Sequence, residues 1–279
     1  MSTSIAKTEP CTSYTLGSSA EELARLQRQG DYYADLTAMA MRQAGIGPGM
    51  RVIDAGSGAG DVAFLAAEIV DPTGAVFGIE RSPAALAGAQ ARAQQAGRTN
   101  VTFVEDDVEG AQLGGTFDAL VGRFILMHTR QPVSALRNLA DHLHPGAPIL
   151  FLEMDIPAAT ARPTVPLLEQ MRNLIAEAFA ANGVSSAPGW DLRGQFLAAG
   201  LPEPKLFYLG HLDPAPAQGN CQGVVSVLRS LMPIIEAKGL ATSDELALDT
   251  LADRLSAALC EQNAQIMNPP LVAAISHAP

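Results

Sequence analysis

One segment, residues 51–61, reads Arg51-Val-Ile-Asp-Ala-Gly-Ser-Gly-Ala-Gly-Asp61. Its first half is a short apolar run of the kind that forms a buried strand, and its second half has a glycine at every second position from Gly56 to Gly60. Glycine lets the backbone turn tightly and lets a ligand approach the main chain. The segment therefore predicts a strand-to-helix turn that holds a nucleotide-like ligand, although a turn without any ligand explains the glycines equally well.

Strands and helices alternate after this loop. Strands are predicted at residues 51–55, 75–80, 101–105, 117–122 and 148–153, with helices at 61–70, 83–96 and 131–143 between them. Parallel strands joined by helices need right-handed crossovers, so the pattern indicates an α/β fold with a doubly wound parallel sheet and helices on both faces. After residue 153 the pattern is mainly helical, with helices predicted at 164–182, 192–199, 223–235 and 244–263 and strands at 205–211 and 271–276.

Three regions follow from this reading. Residues 1–44 form an N-terminal arm and cap helices, because Ser19-Ala-Glu-Glu22 is a helix cap followed by apolar residues at helical spacing. Residues 45–155 form a cofactor-binding core. Residues 156–279 supply the remaining strands and a helical lid that binds the acceptor.

The charges at the glycine loop select among nucleotide-like ligands. Glu80 ends the second strand, where a carboxylate can accept hydrogen bonds from both hydroxyls of a ribose. Asp54 and Asp61 flank the helix N-terminus at which a pyrophosphate would otherwise bind, and two carboxylates would repel it. They suit a ligand that carries ammonium and sulfonium charges, as S-adenosylmethionine does. Asp61 also replaces the small residue of the dinucleotide pattern, which further disfavours NAD and FAD.

Several motifs in this order resemble those of the class I S-adenosylmethionine-dependent methyltransferases, and the match covers most of residues 45–155. They are Val52-Ile-Asp-Ala-Gly-Ser-Gly-Ala-Gly-Asp61, Phe77-Gly-Ile-Glu-Arg-Ser82, Phe103-Val-Glu-Asp-Asp-Val108, Phe117-Asp-Ala-Leu-Val-Gly-Arg-Phe-Ile-Leu-Met-His128 and Leu143-His-Pro-Gly-Ala-Pro-Ile-Leu-Phe151. In the last, Ala147 replaces the second glycine of the family's turn. The resemblance implies a Rossmann-like methyltransferase fold, with a seven-stranded, mostly parallel sheet whose last strand runs antiparallel.

The resemblance also implies a set of cofactor-binding residues. Asp54 would bind the amino group of S-adenosylmethionine directly or through water, and Glu80 would hold its ribose. Asp107 would contact the exocyclic amine of the adenine. Arg123 would face the methionine end, unless it forms only a surface ion pair. The remaining predicted cofactor-binding residues are Gly56, Gly58, Arg81 in the second motif, Val108, and Gln29 in an N-terminal helix that closes over the cofactor.

Catalytic candidates lie directly after strands, because the acceptor binds outside the carboxyl ends of the strands in a doubly wound sheet. His128 follows the fourth strand, although a cap or core histidine explains it as well. Glu153 ends the fifth strand, where burial would raise its pKa and make it a base, unless it only accepts hydrogen bonds from backbone groups. Tyr14 is the third candidate, because aromatic rings such as those of Tyr14, Phe179 and Trp190 would stabilise a cation without any base. No metal site is expected.

Composition narrows the range of partners. The net charge is −11 and only three lysines occur, so no basic stripe exists for a nucleic acid. No apolar run is long enough for a membrane-spanning helix, and no secretory signal is evident, so we expect a cytoplasmic protein. The three cysteines are widely separated and are expected to be reduced thiols.

The sequence therefore predicts an enzyme that transfers a methyl group from S-adenosylmethionine to a hydrophobic small molecule. The relatives that it most resembles belong to bacterial secondary metabolism, as in teleocidin-type pathways, and C-methylation of a terpenoid double bond, O-methylation and N-methylation all stay open. The alternatives are a catalytically silent cofactor-binding partner and a methyltransferase acting on a protein. A further hypothesis is that Tyr14 and the N-terminal helix exchange between subunits, which would make a homo-oligomer.

Overall fold

A computed structural model describes residues 20–279 of the chain, and the side-chain environments from residue 25 onward. Two helices come first, α1 (Ala20–Tyr32) and α2 (Ala34–Ala44). Tyr14 lies outside the described residues. Among residues 20–279, every helix is too short or too polar to cross a membrane.

A seven-stranded sheet follows, in agreement with the predicted α/β fold. The strands of its parallel part and the helices between them are β1 (Arg51–Ala55), α3 (Asp61–Val70), β2 (Ala75–Glu80), α4 (Pro83–Gln95), β3 (Val101–Glu105), β4 (Ala119–Arg123), α5 (Pro132–Ala140) and β5 (Pro148–Met154). The strand order is β3-β2-β1-β4-β5-β10-β7, in which β7 is Lys205–Leu209 and β10 is Leu271–His277. Strands β1 to β5 pair in parallel, whereas β10 is antiparallel to both of its neighbours, as the family resemblance implies.

The central strands are buried on both faces, which is why they read as continuous apolar runs. All seven residues of β5 are buried, and β1 is exposed only at Arg51. One face of the sheet packs on α2, α3 and α4 and the other on α5 and α7. Because helices pack on both faces of the sheet, the carboxyl ends of its strands are held in fixed positions. The glycine loop directly follows β1.

The second half of the chain is β6 (Thr160–Arg162), α6 (Pro166–Ala181), α7 (Leu192–Ala198), β7 (Lys205–Leu209), β8 (Asp213–Pro214), α8 (Gln218–Ala237), α9 (Ser243–Leu246), α10 (Leu248–Glu261), β9 (Gln265–Met267) and β10 (Leu271–His277). Helices α6, α8 and α10 share an apolar core of their own. They form a helical layer, as predicted for this region.

Two differences from the prediction concern this layer. A small antiparallel sheet, β6-β9-β8, was not predicted, because strands of two or three residues are too short to show an alternating pattern. The helix predicted at 244–263 is two helices, because Ala247 adopts a left-handed conformation (φ 47°) between α9 and α10.

Candidate active site

A cavity of about 210 Å³ lies at the carboxyl ends of β1 to β5. The loops after these strands line one side, and α1 and α6 contribute to the other. Predicted site residues on its wall are Gln29, Gly56, Gly58, Glu80, Arg81, Asp107, Val108, Arg123 and His128. Two further candidates, Asp54 and Glu153, are buried and are not part of the wall. The fold therefore gathers almost all of the predicted positions around one site.

The glycine loop has the open backbone that close ligand approach requires. Gly56 has a φ of +70°, and a Cβ at this position would collide with the side chain of Ile125. Gly58 has a φ of +52°, and a Cβ there would meet no atom within 4 Å. The first glycine thus permits tight packing of the loop, and the second leaves bare main chain facing the cavity.

Glu80 is held in place by the backbone that surrounds the cavity. Its Oε2 accepts a hydrogen bond from the Gly58 N–H at 2.9 Å, and its Oε1 accepts one from the Ser82 N–H at 2.7 Å. A carboxylate oxygen can accept more than one hydrogen bond. Each oxygen therefore keeps acceptor capacity for one hydroxyl of a ribose diol.

Two acids lie beneath the loop with contrasting environments. Asp61 forms an ion pair with Arg92, with Nη1 and Oδ1 2.8 Å apart. Both carboxylate oxygens of Asp54 are buried without a hydrogen-bond partner among the described residues. Burial raises the pKa of Asp54 to about 7, although the positive charge of Arg123 acts in the opposite direction. A buried, unsatisfied carboxylate favours a ligand that brings positive charge, and the ammonium end of S-adenosylmethionine fits this requirement.

Arg123 is fixed from the N-terminal helices. Its Nη1 donates to Thr37 Oγ1 at 2.8 Å, and the Thr37 hydroxyl donates in turn to the Tyr33 carbonyl at 2.6 Å. The guanidinium also lies 5.6 Å from the ring centroid of Phe124. Sequence reasoning identified Arg123 but missed Thr37, because no local pattern signals a contact between residues 86 positions apart.

Residues 106–109, where the resemblance places the adenine, form another part of the wall. The backbone turns here because Asp106 Oδ1 accepts from the Asp107 N–H at 2.8 Å and Asp107 Oδ1 accepts from the Glu109 N–H at 3.0 Å. Val108 is buried beside these acids. An acid next to an apolar contact suits a purine that carries an exocyclic amino group.

Helix α1 contributes Arg25, Leu26 and Gln29 to the wall. Arg25 Nη1 donates to Gln29 Oε1 at 3.5 Å, one turn further along the helix. The helix thus forms part of the cavity wall.

The two described catalytic candidates have different environments. His128 lines the cavity, and burial, together with the positive charges of Arg81 and Arg25, lowers its pKa to about 4. The imidazole is therefore neutral at pH 7. Glu153 is fully buried, and its Oε1 accepts from the Ile125 N–H at 3.0 Å and the Leu126 N–H at 2.8 Å.

This geometry makes Glu153 a cap for the short 3₁₀ helix Leu126–His128. Its other oxygen, Oε2, has no partner among the described residues. Burial raises the pKa of Glu153 to about 8, and the backbone hydrogen bonds lower it only in part. Its role as a base stays a prediction, because the side chain is not on the cavity wall.

The acceptor side of the cavity is apolar. It is lined by Leu26, Phe124, Met127, Met154 and Phe179. Of the aromatic residues expected to stabilise a cation, Phe179 reaches the cavity from α6. The expectation for Trp190 is wrong: its side chain is 70% exposed, lies outside the wall and donates from Nε1 to Asp155 Oδ2 at 2.7 Å.

Most other apolar residues of the lid pack within the lid core, as ordinary helix packing requires. Across residues 20–279, no group of three or more His, Cys, Asp or Glu side chains comes together as a metal site would need.

Comparison with known proteins gives a family for this fold and site. Residues 46–196, more than half of the chain, match the family model described as "Methyltransferase domain". The chain is 32% identical over 147 residues to the 2-phytyl-1,4-naphtoquinone methyltransferase of Synechococcus elongatus, covering 49% of this chain and 57% of that protein. It is 34% identical over 104 residues to the aklanonic acid methyltransferase DauC of a Streptomyces species, covering 37% and 47%.

The chain thus spans about half the length of the curated relatives that it matches. A solved structure of a SAM-dependent methyltransferase from Aquifex aeolicus superposes with a TM-score of 0.54, at 13% identity, over 92% of this chain and 97% of that one. At this identity the likeness concerns the fold alone.

Proposed function

The chain belongs to the methyltransferase-domain family of class I S-adenosylmethionine-dependent enzymes, and from this premise we propose that it methylates a hydrophobic small molecule of the quinol or aromatic polyketide kind. The observation that carries the proposal is that one cavity is lined both by polar and charged side chains and by a set of apolar side chains. When bound, S-adenosylmethionine supplies a methyl group on a sulfonium sulfur, which is electrophilic without further activation.

The polar and charged side chains of the cavity wall support binding of this cofactor. Glu80 would accept hydrogen bonds from the ribose hydroxyls, and Asp107 one from the adenine amine. Arg123 on the cavity wall would match the carboxylate of the methionine end, and Asp54, which is buried behind the wall, would attract the ammonium through water. Gln29 and Arg81 would close the cavity over the ligand.

The apolar side chains of the cavity wall support binding of a hydrophobic acceptor. Leu26, Phe124, Met127, Met154 and Phe179 would enclose a ring system, and methionine adapts to ligands of irregular shape. The names of the two relatives above, a naphtoquinone and an aklanonic acid methyltransferase, fit this class of acceptor. Residues 45–155 would thus hold the cofactor, and the lid in residues 156–279 would contribute to the acceptor site.

The titratable groups favour methylation of carbon. His128 is a weak base, because its pKa is about 4, and Glu153 is turned away from the cavity toward backbone amides. An electron-rich ring carbon or double bond attacks the methyl group without first losing a proton, so the protein needs mainly to align the reactants and exclude water. The methyl–sulfur bond would break as the carbon–carbon bond forms, and the cation left on the acceptor is acidic enough to lose its proton to a weak base such as neutral His128. We propose that His128 hydrogen-bonds an acceptor oxygen, and that Glu153 positions His128 through the 3₁₀ helix that it caps.

The test is incubation of the purified chain with S-adenosylmethionine and a panel of naphthoquinols, phenols, amines and a peptide. Mass spectrometry should detect the gain of one methylene unit on a hydrophobic acceptor and not on the peptide. Phe179→Ala should raise the KM for the acceptor and leave cofactor affinity unchanged. Cofactor binding without methylation of any acceptor would contradict an enzymatic role and favour a silent binding partner, and methylation of the peptide alone would contradict the small-molecule proposal.

A further inference from the structure

One edge of the central sheet is open. Strand β7 is last in the strand order, and within residues 20–279 it pairs only with β10. An open edge presents a row of backbone N–H and C=O groups to any other strand, so most proteins protect such edges with charges or proline. In β7 the only charged residue is Lys205, and two of its apolar residues, Leu206 and Tyr208, are 44% and 51% exposed.

These apolar residues form part of a fixed surface. Leu206 and Tyr208 lie on the same face of the sheet, because residues two apart in a strand point the same way. Tyr208 Oη and Trp190 Nε1 both donate to Asp155 Oδ2, at 2.8 and 2.7 Å. Asp155 itself is buried. We name the exposed side chains of Leu206, Tyr208 and Trp190 the edge strip.

The edge strip has the properties of a binding surface. A buried carboxylate holds its two aromatic rings in place while leaving them exposed, so little conformational entropy remains to be lost when another surface covers them. Tyrosine and tryptophan are also the residues that contribute most often to binding energy in protein interfaces.

We propose that the edge strip is a dimer interface, in which β7 pairs antiparallel with β7 of a second copy of this chain. A two-fold axis at Phe207 places Leu206 of each copy opposite Tyr208 of the other, on the face that also carries Trp190. Apolar and aromatic cross-strand pairs of this kind stabilise antiparallel sheets. The same patch then serves both copies, as a two-fold interface requires.

Charge also favours a second copy as the occupant. The chain carries a net charge of −11, so most surfaces of two copies repel each other. Strand β7 contains no acid, and Lys205 lies at its start. Two residues after its end, the ring of His211 contacts the exposed carboxylate of Asp35, with Nε2 and Oδ2 3.0 Å apart. With the axis at Phe207, Lys205 of each copy lies opposite Leu209 of the other, two residues before the His211–Asp35 pair, and Glu203, which is paired with Arg193 in its own copy, lies opposite His211.

A strand from an unrelated protein would satisfy the backbone of β7 but would not supply both the apolar pairs and these matched charges. The interface contains no residue of α1, the N-terminal helix at which the sequence-based hypothesis places subunit exchange. It also lies outside the cavity wall, so it is independent of the proposed function.

Sedimentation velocity of the full chain across a range of concentrations tests the proposal. The wild type should be a dimer, and Leu206→Glu should weaken dimerisation roughly tenfold or more, because the two-fold axis introduces the buried charge twice. Leu197→Glu is the matched control, because Leu197 on α7 is 41% exposed, close to the 44% of Leu206, and lies outside both β7 and the edge strip. This variant should dimerise like the wild type.

Hydrogen exchange of the wild type provides a test that needs no variant. The amides of residues 205–209 should become more protected as the protein concentration rises. A wild type that stays monomeric, a dimer that Leu206→Glu leaves intact, or protection of residues 205–209 that does not depend on concentration would overturn the proposal.

Discussion

Glu153 illustrates how burial and hydrogen bonding decide what a carboxylate can do. The sequence places it at the end of a strand, where both a base and a structural acceptor are reasonable. In the fold, one oxygen caps the backbone of residues 125–126 and the other is buried without a partner among the described residues. Its raised pKa therefore makes folding stability depend on pH, whether or not Glu153 takes part in catalysis. A substitution of Glu153 can measure this effect on stability.

We expect Glu153→Gln to flatten the pH dependence of folding stability. Burial raises the pKa of Glu153 from its ordinary value of 4.5 to about 8 in the folded chain. The neutral carboxyl is therefore favoured by folding, and its contribution is fully present below pH 4.5 and lost as the pH rises toward 8. The loss amounts to about 1.4 kcal/mol per pH unit within this window.

Urea unfolding at pH 5, 7 and 9 measures this effect. Glutamine is uncharged and can accept the same two backbone hydrogen bonds, so the variant should match the wild type at pH 5 and exceed its stability at pH 9. Equal stability of the two proteins at every pH would show that Glu153 is not held in its neutral form.

The burial of Asp54 leads us to expect that cofactor affinity, and not only folding stability, depends on pH. Burial raises its pKa to about 7, with Arg123, Asp61 and Glu80 as the nearby charges. The ionised form attracts an ammonium group, so affinity for S-adenosylmethionine should rise between pH 6 and pH 7.5. Asp54→Asn should bind more weakly and remove this rise, as measured by calorimetry in buffers of equal ionic strength. A rise that persists in the variant would assign the effect to another group.

Among individual residues, the sequence predicts those whose role depends on local spacing. Gly58 and Glu80 follow from their positions at the ends of β1 and β2, and both lie on the cavity wall. It could not predict that Phe124 adopts a φ of +57° beside Arg123, or that Trp190 turns outward to Asp155, because tertiary packing determines both.

The helices that precede the sheet are elements of the site. Helix α2 carries Thr37, whose hydroxyl accepts a hydrogen bond from Arg123, and Tyr33 at its start donates from Oη to the Pro269 carbonyl at 2.7 Å. Helix α1 adds three residues to the cavity wall. The N-terminal region therefore connects the cofactor side of the cavity to the last part of the chain.

We expect Thr37→Val to weaken cofactor binding roughly tenfold, because a hydrogen bond to a charged group contributes about 1.5–3 kcal/mol. Without the hydroxyl, Arg123 loses the contact that holds it at the methionine end. Titration calorimetry with S-adenosylmethionine measures the change, and Thr37→Ser, which retains the hydroxyl, is the control. If valine and serine bind the cofactor equally well, α2 does not position Arg123.

Among the elements, long and periodic segments were predicted best. The bounds of α3 and β2 agree with the sequence pattern to the residue, because glycine, proline and apolar spacing mark both ends. The strands β6, β8 and β9 were missed because their pairing depends on distant partners and not on local pattern. Strand β10 is different: its antiparallel direction came only from the family resemblance.

Across the whole molecule, three layers meet at one cavity. The doubly wound sheet supplies the glycine loop and the acids, α1 supplies Arg25, Leu26 and Gln29, and α6 supplies Phe179. The alternation of strands and helices in the sequence correctly indicated an α/β core, but it could not show that the lid has a separate apolar core, because this depends on how α6, α8 and α10 pack together.

Calorimetric titration of the purified chain with S-adenosylmethionine, S-adenosylhomocysteine and NAD tests the central claim most directly. We expect S-adenosylmethionine and S-adenosylhomocysteine to bind and NAD not to bind. Glu80→Gln should weaken the binding of both ligands roughly tenfold or more, because the charged acceptor is lost. Glu105→Gln, at the exposed end of the adjacent strand and outside the cavity wall, should bind like the wild type. Tight binding of NAD without binding of S-adenosylmethionine would contradict the account.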